Sequence, residues 1–181
     1  MRGRTTLAAT LALAGGVAAG VGSFLVWAEI SAGPFSERAT GIRGWEGKAT
    51  LISGIVMAAA GIRVFRGSSD AISGLRVRAA IGGLVAAGVG IYTALTAREQ
   101  LIDAGAATVP RAELEQALET GLLEFALGFG LYVVIAGGLQ GVLAAIVAMG
   151  ARDDTPAPSG RGLTGWAVEP PPPPPPGGDP G

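Results

Sequence analysis

The 181-residue chain contains no cysteine, no histidine and no asparagine, and only one lysine, Lys48, against twelve arginines. Without Cys or His it has no disulfide, no thiolate nucleophile, no imidazole acid–base chemistry and none of the usual zinc or haem ligands. A net charge of −1 gives no general electrostatic reason to bind nucleic acid. The phosphate-loop pattern is missing, because Ala49 rather than Ser or Thr follows Gly47-Lys48. Gly128 and Gly130 lie inside an apolar run, not after a strand, so no dinucleotide site is expected. Glu113, Glu115, Glu119 and Glu124 are read as a solvated acidic face. The sequence therefore predicts no catalytic, cofactor-binding or metal-ligating set, and no enzyme.

What is abundant is uncharged apolar sequence. Hydrophobic residues make up 49% of the chain and 31 residues are glycine, which leaves little polar material to wrap a soluble core. Phe125 to Ala151 carries no formal charge, and Gln140 is its one strongly polar side chain. Three further runs precede it. Thr5 to Ala28 is too long for a signal-peptide core and reads as a retained span, with Trp27 at headgroup level. Ala49 to Ile62 reaches spanning length with Val64 and Phe65 if Arg63 snorkels. Ala79 to Ala97 is the third. The expected fold is all-α: a four-helix transmembrane bundle over residues 1–151, with helices at about 5–28, 49–65, 79–97 and 122–151. The fourth is expected to begin as an acidic helical extension from Pro110, with a bend or break at Gly121, and to run on past the bilayer. Residues 152–181, with seven consecutive prolines at Pro170–Pro176, read as a disordered cytoplasmic tail.

Arginine placement sets the orientation. The connection Arg63–Arg78 is short and carries four arginines, so both termini are expected in the cytoplasm and the two longer loops outside. Small residues four apart recur on every span, and Gly16, Gly20, Gly54, Gly82, Gly90, Gly137 and Gly141 are the candidate packing positions. Gln140 is the candidate for an interhelical hydrogen bond, and Trp27 and Trp45 are candidates for interfacial or partner contact. The hexapeptide Val17–Gly22 recurs letter for letter as Val85–Gly90, as a duplicated helical hairpin would give.

Three stretches carry a resemblance: Phe24-Leu25-Val26-Trp27, Gly41 to Leu51 (GIRGWEGKATL), and Gly128-Phe129-Gly130-Leu131-Tyr132 through Gly137-Gly138. With four spans, they resemble small uncharacterised four-helix membrane proteins of actinobacteria and related high-GC bacteria. The resemblance implies a bacterial plasma-membrane location and no activity. The functional expectation is a non-enzymatic structural or accessory membrane protein that binds a partner through its outer loops. Its partners would be the lipid bilayer and a membrane protein or further copies of the chain, with no nucleic acid. The competing reading is a small transporter or channel component acting as an oligomer.

Overall fold

The structure, a computed structural model, describes residues 2–67, 71–106 and 109–151. The proline-rich tail lies outside the described residues. Four helices are long and apolar enough to cross a membrane: α1 (Arg2–Gly22), α2 (Trp45–Phe65), α3 (Ala71–Gly105) and α5 (Phe129–Met149). A short surface helix, α4 (Arg111–Glu119), lies between the last two. The all-α expectation is corrected by three strands: β1 (Val26–Ala32), β2 (Phe35–Thr40) and β3 (Glu124–Leu127). They form one antiparallel sheet in the order β2-β1-β3, with Ile30 opposite both Glu37 and Phe125.

The sheet moves two expected helix boundaries. α1 stops at Gly22, not Ala28, because Val26 to Ala32 pairs on both sides as a strand. α5 begins at Phe129, not at residue 122, because Glu124 to Leu127 pairs with β1; Gly128 and Gly130 therefore do follow a strand, contrary to expectation, but a four-residue antiparallel edge strand and not the parallel βαβ unit of a dinucleotide site. The expected extension of the fourth span exists as the separate α4, and Gly121 breaks the chain after it at φ +74°, a left-handed conformation that glycine adopts without steric cost. The overlong helix is α3, whose 35 residues span roughly 52 Å against a hydrocarbon core of about 30 Å. Its last turns, which carry Arg98, Glu99, Gln100 and Asp103, extend beyond the uncharged run. α2 starts at Trp45, earlier than expected, which places Glu46 in its first turn where the helix dipole favours a carboxylate.

The four long helices pack in a ring, α1 against α2 and α5, and α3 against the same two. A layer of paired small residues near mid-span sets their spacing. Gly15 and Gly16 are neighbours in sequence, yet Gly15 abuts Gly137 on α5 and Gly16 abuts Gly54 on α2. Gly137 and Gly138 divide in the same way, the first facing α1 and the second facing Gly83 on α3. Gly82, beside Gly83, faces Ser53 and Met57 of α2. Successive helical residues are about 100° apart, since 3.6 of them make a turn. In a square of four helices the two neighbours of any one lie at nearly a right angle, so a Gly-Gly step serves both. A carbon added at Gly15 would sit 2.6 Å from the Gly137 oxygen, and one added at Gly54 would sit 2.6 Å from the Gly16 oxygen. The backbones themselves are in contact.

The space inside this ring is filled. Alanines 8, 12, 60, 79, 144, 145 and 148 pack with Leu75 toward the end where α1 begins and α5 finishes. Met57, Leu131 and Val134 fill the other half with Ala19, Ala86 and Trp27. Met57 is fully buried and reaches Gly82 and Gly141, which have no side chains to keep it out. At the end where α5 finishes, Arg76 donates to the Ala148 and Ala151 carbonyls at 2.9 and 2.6 Å, a cation placed on the C-terminus of α5.

The repeated hexapeptide has a packing explanation. Ala19 lies against Gly137 and Ala87 against Gly138, while Gly22 and Gly90 flank Val134 from either side. Both copies therefore pack on α5. The two-fold of a duplicated hairpin would carry the α1–α5 contact onto α3–α2, so Ala87 would meet α2 instead. A shared demand from one partner helix is therefore enough to account for the repeat.

Candidate functional site

The sheet covers one end of the bundle, and the sequence explains why it forms there. Glycines at three places let the chain cross itself closely. At Gly41 an added carbon would collide with the Trp27 indole, at Gly47 with the Gly41 carbonyl, and at Gly128 with the Val26 carbonyl. These residues belong to the stretches Phe24–Trp27, Gly41–Leu51 and Gly128–Gly138. Separated by up to about a hundred positions, those stretches meet in one junction between α1, α2, α5 and the sheet.

Trp27 is the centre of that junction. It is only 5% exposed, and its indole N–H donates at 2.8 Å to the Gly22 carbonyl, which also accepts from the Leu25 N–H at 3.2 Å at the end of α1. Beside it the buried hydroxyls of Ser23 and Thr50 meet at 2.7 Å. Ser23 also reaches the Ala19 carbonyl at 2.9 Å, and Thr50 reaches the Gly47 carbonyl at 3.0 Å. Two hydroxyl protons serve three contacts, so each arrangement leaves one contact without its proton. This pair ties the end of α1 to the start of α2.

Between the sheet, the turn at Gly41–Arg43 and the outer part of α3 lies a cleft of about 400 Å³. That is within the range of small-ligand sites. Trp27, Ala28, Ile30, Ala97, Leu101 and Phe125 give it apolar walls; Glu37, Arg38, Arg43, Glu46 and Gln100 give it a polar margin of balanced charge. Thr93 also lines it, and its hydroxyl is buried without a hydrogen-bond partner. The alternation along β1 turns Ala28 and Ile30 to this cleft, and Glu29 and Ser31 to a second, more acidic hollow with Glu119, Glu124 and Arg98. Arg38 pairs with Glu29 across the strands at 3.1 Å. Beyond the second hollow, Arg111 holds Asp103 of α3 at 3.1 Å and Glu115 of α4 at 2.9 Å. The hydrogen bond and charge of Glu115, followed by the charge of Asp103, raise Arg111 above its ordinary value.

The sheet also has a free margin. Among the described residues β2 is paired with β1 alone, so its other edge offers backbone donors and acceptors beside the cleft. Phe35 at the start of β2 is 76% exposed, and Trp45 at the start of α2 is 61% exposed.

The expected packing residues fall as follows. Gly16 and Gly54 face each other, Gly20 lies against α2 near Gly54, Gly82 and Gly141 receive Met57, Gly90 meets Ile135, and Gly137 meets Gly15. Trp27 is a buried wedge and wall of the cleft, whereas Trp45 is presented outward. Gln140 is exposed on α5 beside Gly15, away from the bundle interior, with no hydrogen bond to another described residue. The expected interhelical bond is therefore not made among the described residues. Small-residue spacing pointed to single faces and overlooked Gly15, Gly83 and Gly138. The Gly-Gly dipeptides were the signal that would have found them. Among the described residues no group of three acidic side chains is arranged to hold a metal ion. Compared with known proteins, the chain matches no family model and no curated protein.

Proposed function

We propose that this chain is a non-enzymatic, four-span accessory protein of a bacterial plasma membrane, which docks an extended segment of a partner protein on its outer face. Both termini lie in the cytoplasm and the sheet lies outside. One observation carries the docking proposal: a strand with a free edge stands beside an apolar cleft at one end of the bundle. An extended peptide can add to such an edge through main-chain hydrogen bonds, while the neighbouring cleft takes alternate side chains. Phe35 and Trp45 offer large apolar area around it.

The orientation is supported by charge. Among the described residues the sheet-bearing end holds nine carboxylates, Glu29 to Glu124, against five cations, Arg38, Arg43, Lys48, Arg98 and Arg111. The end with the termini holds Arg2, Arg4, Arg63, Arg66, Arg76 and Arg78 and no described carboxylate. Arginine-rich short connections stay on the cytoplasmic side. An accessory role is supported over a pore by the bundle interior, which Met57, Leu131, Val134 and a set of alanines fill.

A photoreactive residue placed at Phe35, in the full chain in its native membrane, tests the docking. A discrete adduct with one protein is expected, and a proline at Ser36 or Arg38 is expected to reduce it by blocking an edge donor. Irradiation that yields only lipid adducts would count against the reading.

A further inference from the structure

Gln140 is the twelfth residue of the 21-residue α5, roughly 16 Å from its start, and so lies near mid-membrane. Its exposed amide faces away from the chain's own core. Hydroxyls in the spans have a local remedy. Thr10 donates to the Thr6 carbonyl at 3.0 Å, Ser53 to Ala49 at 2.8 Å and Thr96 to Tyr92 at 2.9 Å. A primary amide has two donors and an acceptor with two lone pairs, more than one carbonyl of its own helix can satisfy. Lipid tails supply neither kind of partner, and from this depth a glutamine is too short to reach the headgroups.

We propose that Gln140 pairs with Gln140 of a second copy of this chain, forming a two-fold dimer along the α1–α5 seam. Copies that share one orientation in a membrane are related by an axis along its normal, so residues at equal depth meet their own counterparts. An amide is self-complementary across such an axis, donating and accepting at once, where a charged side chain would be repelled. The surroundings permit the approach. Gly15 lies directly beside the Gln140 Cβ, and Ala14 and Ala136 are exposed on either side, so nothing bulky shields the amide. Val17, Leu139 and Leu143 supply exposed apolar surface around it. This seam lies in the spans, apart from the sheet edge proposed to dock a partner.

The natural absence of cysteine makes the test direct. In native membranes oxidised with copper phenanthroline, the full-length Gln140→Cys variant is expected to form a disulfide-linked dimer of twice the chain mass. Leu84→Cys, exposed on α3, is expected to stay monomeric. In liposomes, energy transfer between labelled copies at increasing lipid dilution should show Gln140→Leu dissociating at about five-fold higher protein density than the natural chain. An unchanged dilution curve for Gln140→Leu would overturn the proposal. So would a natural chain that is monomeric throughout, or a Gln140→Cys crosslink to a protein of different mass.

Discussion

Gly138→Ala is expected to destabilise the protein by about 1–3 kcal/mol, whereas Gly88→Ala on the facing helix is expected to cost nothing. The contrast follows from what each new carbon meets. At Gly138 it would strike the backbone nitrogen of Ala87 and lie 2.8 Å from the Gly83 oxygen, and neither atom can swing aside as a side-chain tip could. α3 and α5 must separate, and the loss spreads along every contact between them. At Gly88 there is nothing within 4 Å. Alanine there gains the roughly 0.5–1 kcal/mol by which it exceeds glycine as a helix former. Gly88 belongs to the same hexapeptide as Ala87 and Gly90, so composition alone would rate all these glycines alike. Reversible unfolding of the purified chain in mixed micelles, followed by helicity against denaturing detergent, measures both shifts. Equal shifts would mean that the Gly-Gly steps do not set the helix spacing.

Trp27→Ala is expected to cost about 3–5 kcal/mol, the usual toll for emptying a buried aromatic site. Trp27→Phe keeps most of the ring and gives up the bond to the Gly22 carbonyl, for a smaller loss of about 0.5–1.5 kcal/mol. The damage should be local in a way that can be read. Trp27 is on β1, fills the notch at Gly41 and walls the cleft, so amide exchange should rise in β1, β2 and β3. The Gly-Gly layer lies deeper in the bundle, and amides near Gly54 and Gly138 should keep their protection. Rapid exchange throughout the chain would mean that the bundle depends on its sheet, contrary to the packing described above.

The four spans could be read from the sequence because charge is excluded from hydrocarbon, and each uncharged run marks a stretch that no water needs to reach. The same criterion hides what happens at the edges. Val26 to Ala32 contains only one charge, Glu29, its start merges with the apolar run of α1, and an irregularity between Val26 and Ala28 leaves only Ala28 and Ile30 against Glu29 and Ser31 as alternation, too little to mark a strand. Phe125 to Leu127 is too short to show any period and joins seamlessly to α5. Its partner β1 lies about a hundred residues earlier, and pairing at that distance leaves no local trace. α3 was underestimated for the opposite reason. Its ends carry Arg76, Arg78 and Arg98 to Asp103, so a search for uncharged sequence reports the part in lipid and misses the helix continuing into water.

Of the candidate site, the sequence showed the parts without the assembly. Trp27 and Trp45 were visible as amphipathic aromatics, but only the fold separates them, burying one as a wedge and presenting the other. Gly41 and Gly47 are places where indole or backbone presses against backbone, which no local pattern in the stretch displays. The cleft depends on sheet, turn and α3 together, and no single stretch encodes it.

Sidedness is the claim on which the proposed function depends, and thiol labelling of the naturally cysteine-free chain tests it most directly. With a membrane-impermeant maleimide on intact cells, the Phe35→Cys variant in β2 is predicted to label at once. The Arg66→Cys variant, in the connection between α2 and α3, is predicted to label only after permeabilisation. The reverse pattern would put the sheet in the cytoplasm and contradict an outward-facing docking surface.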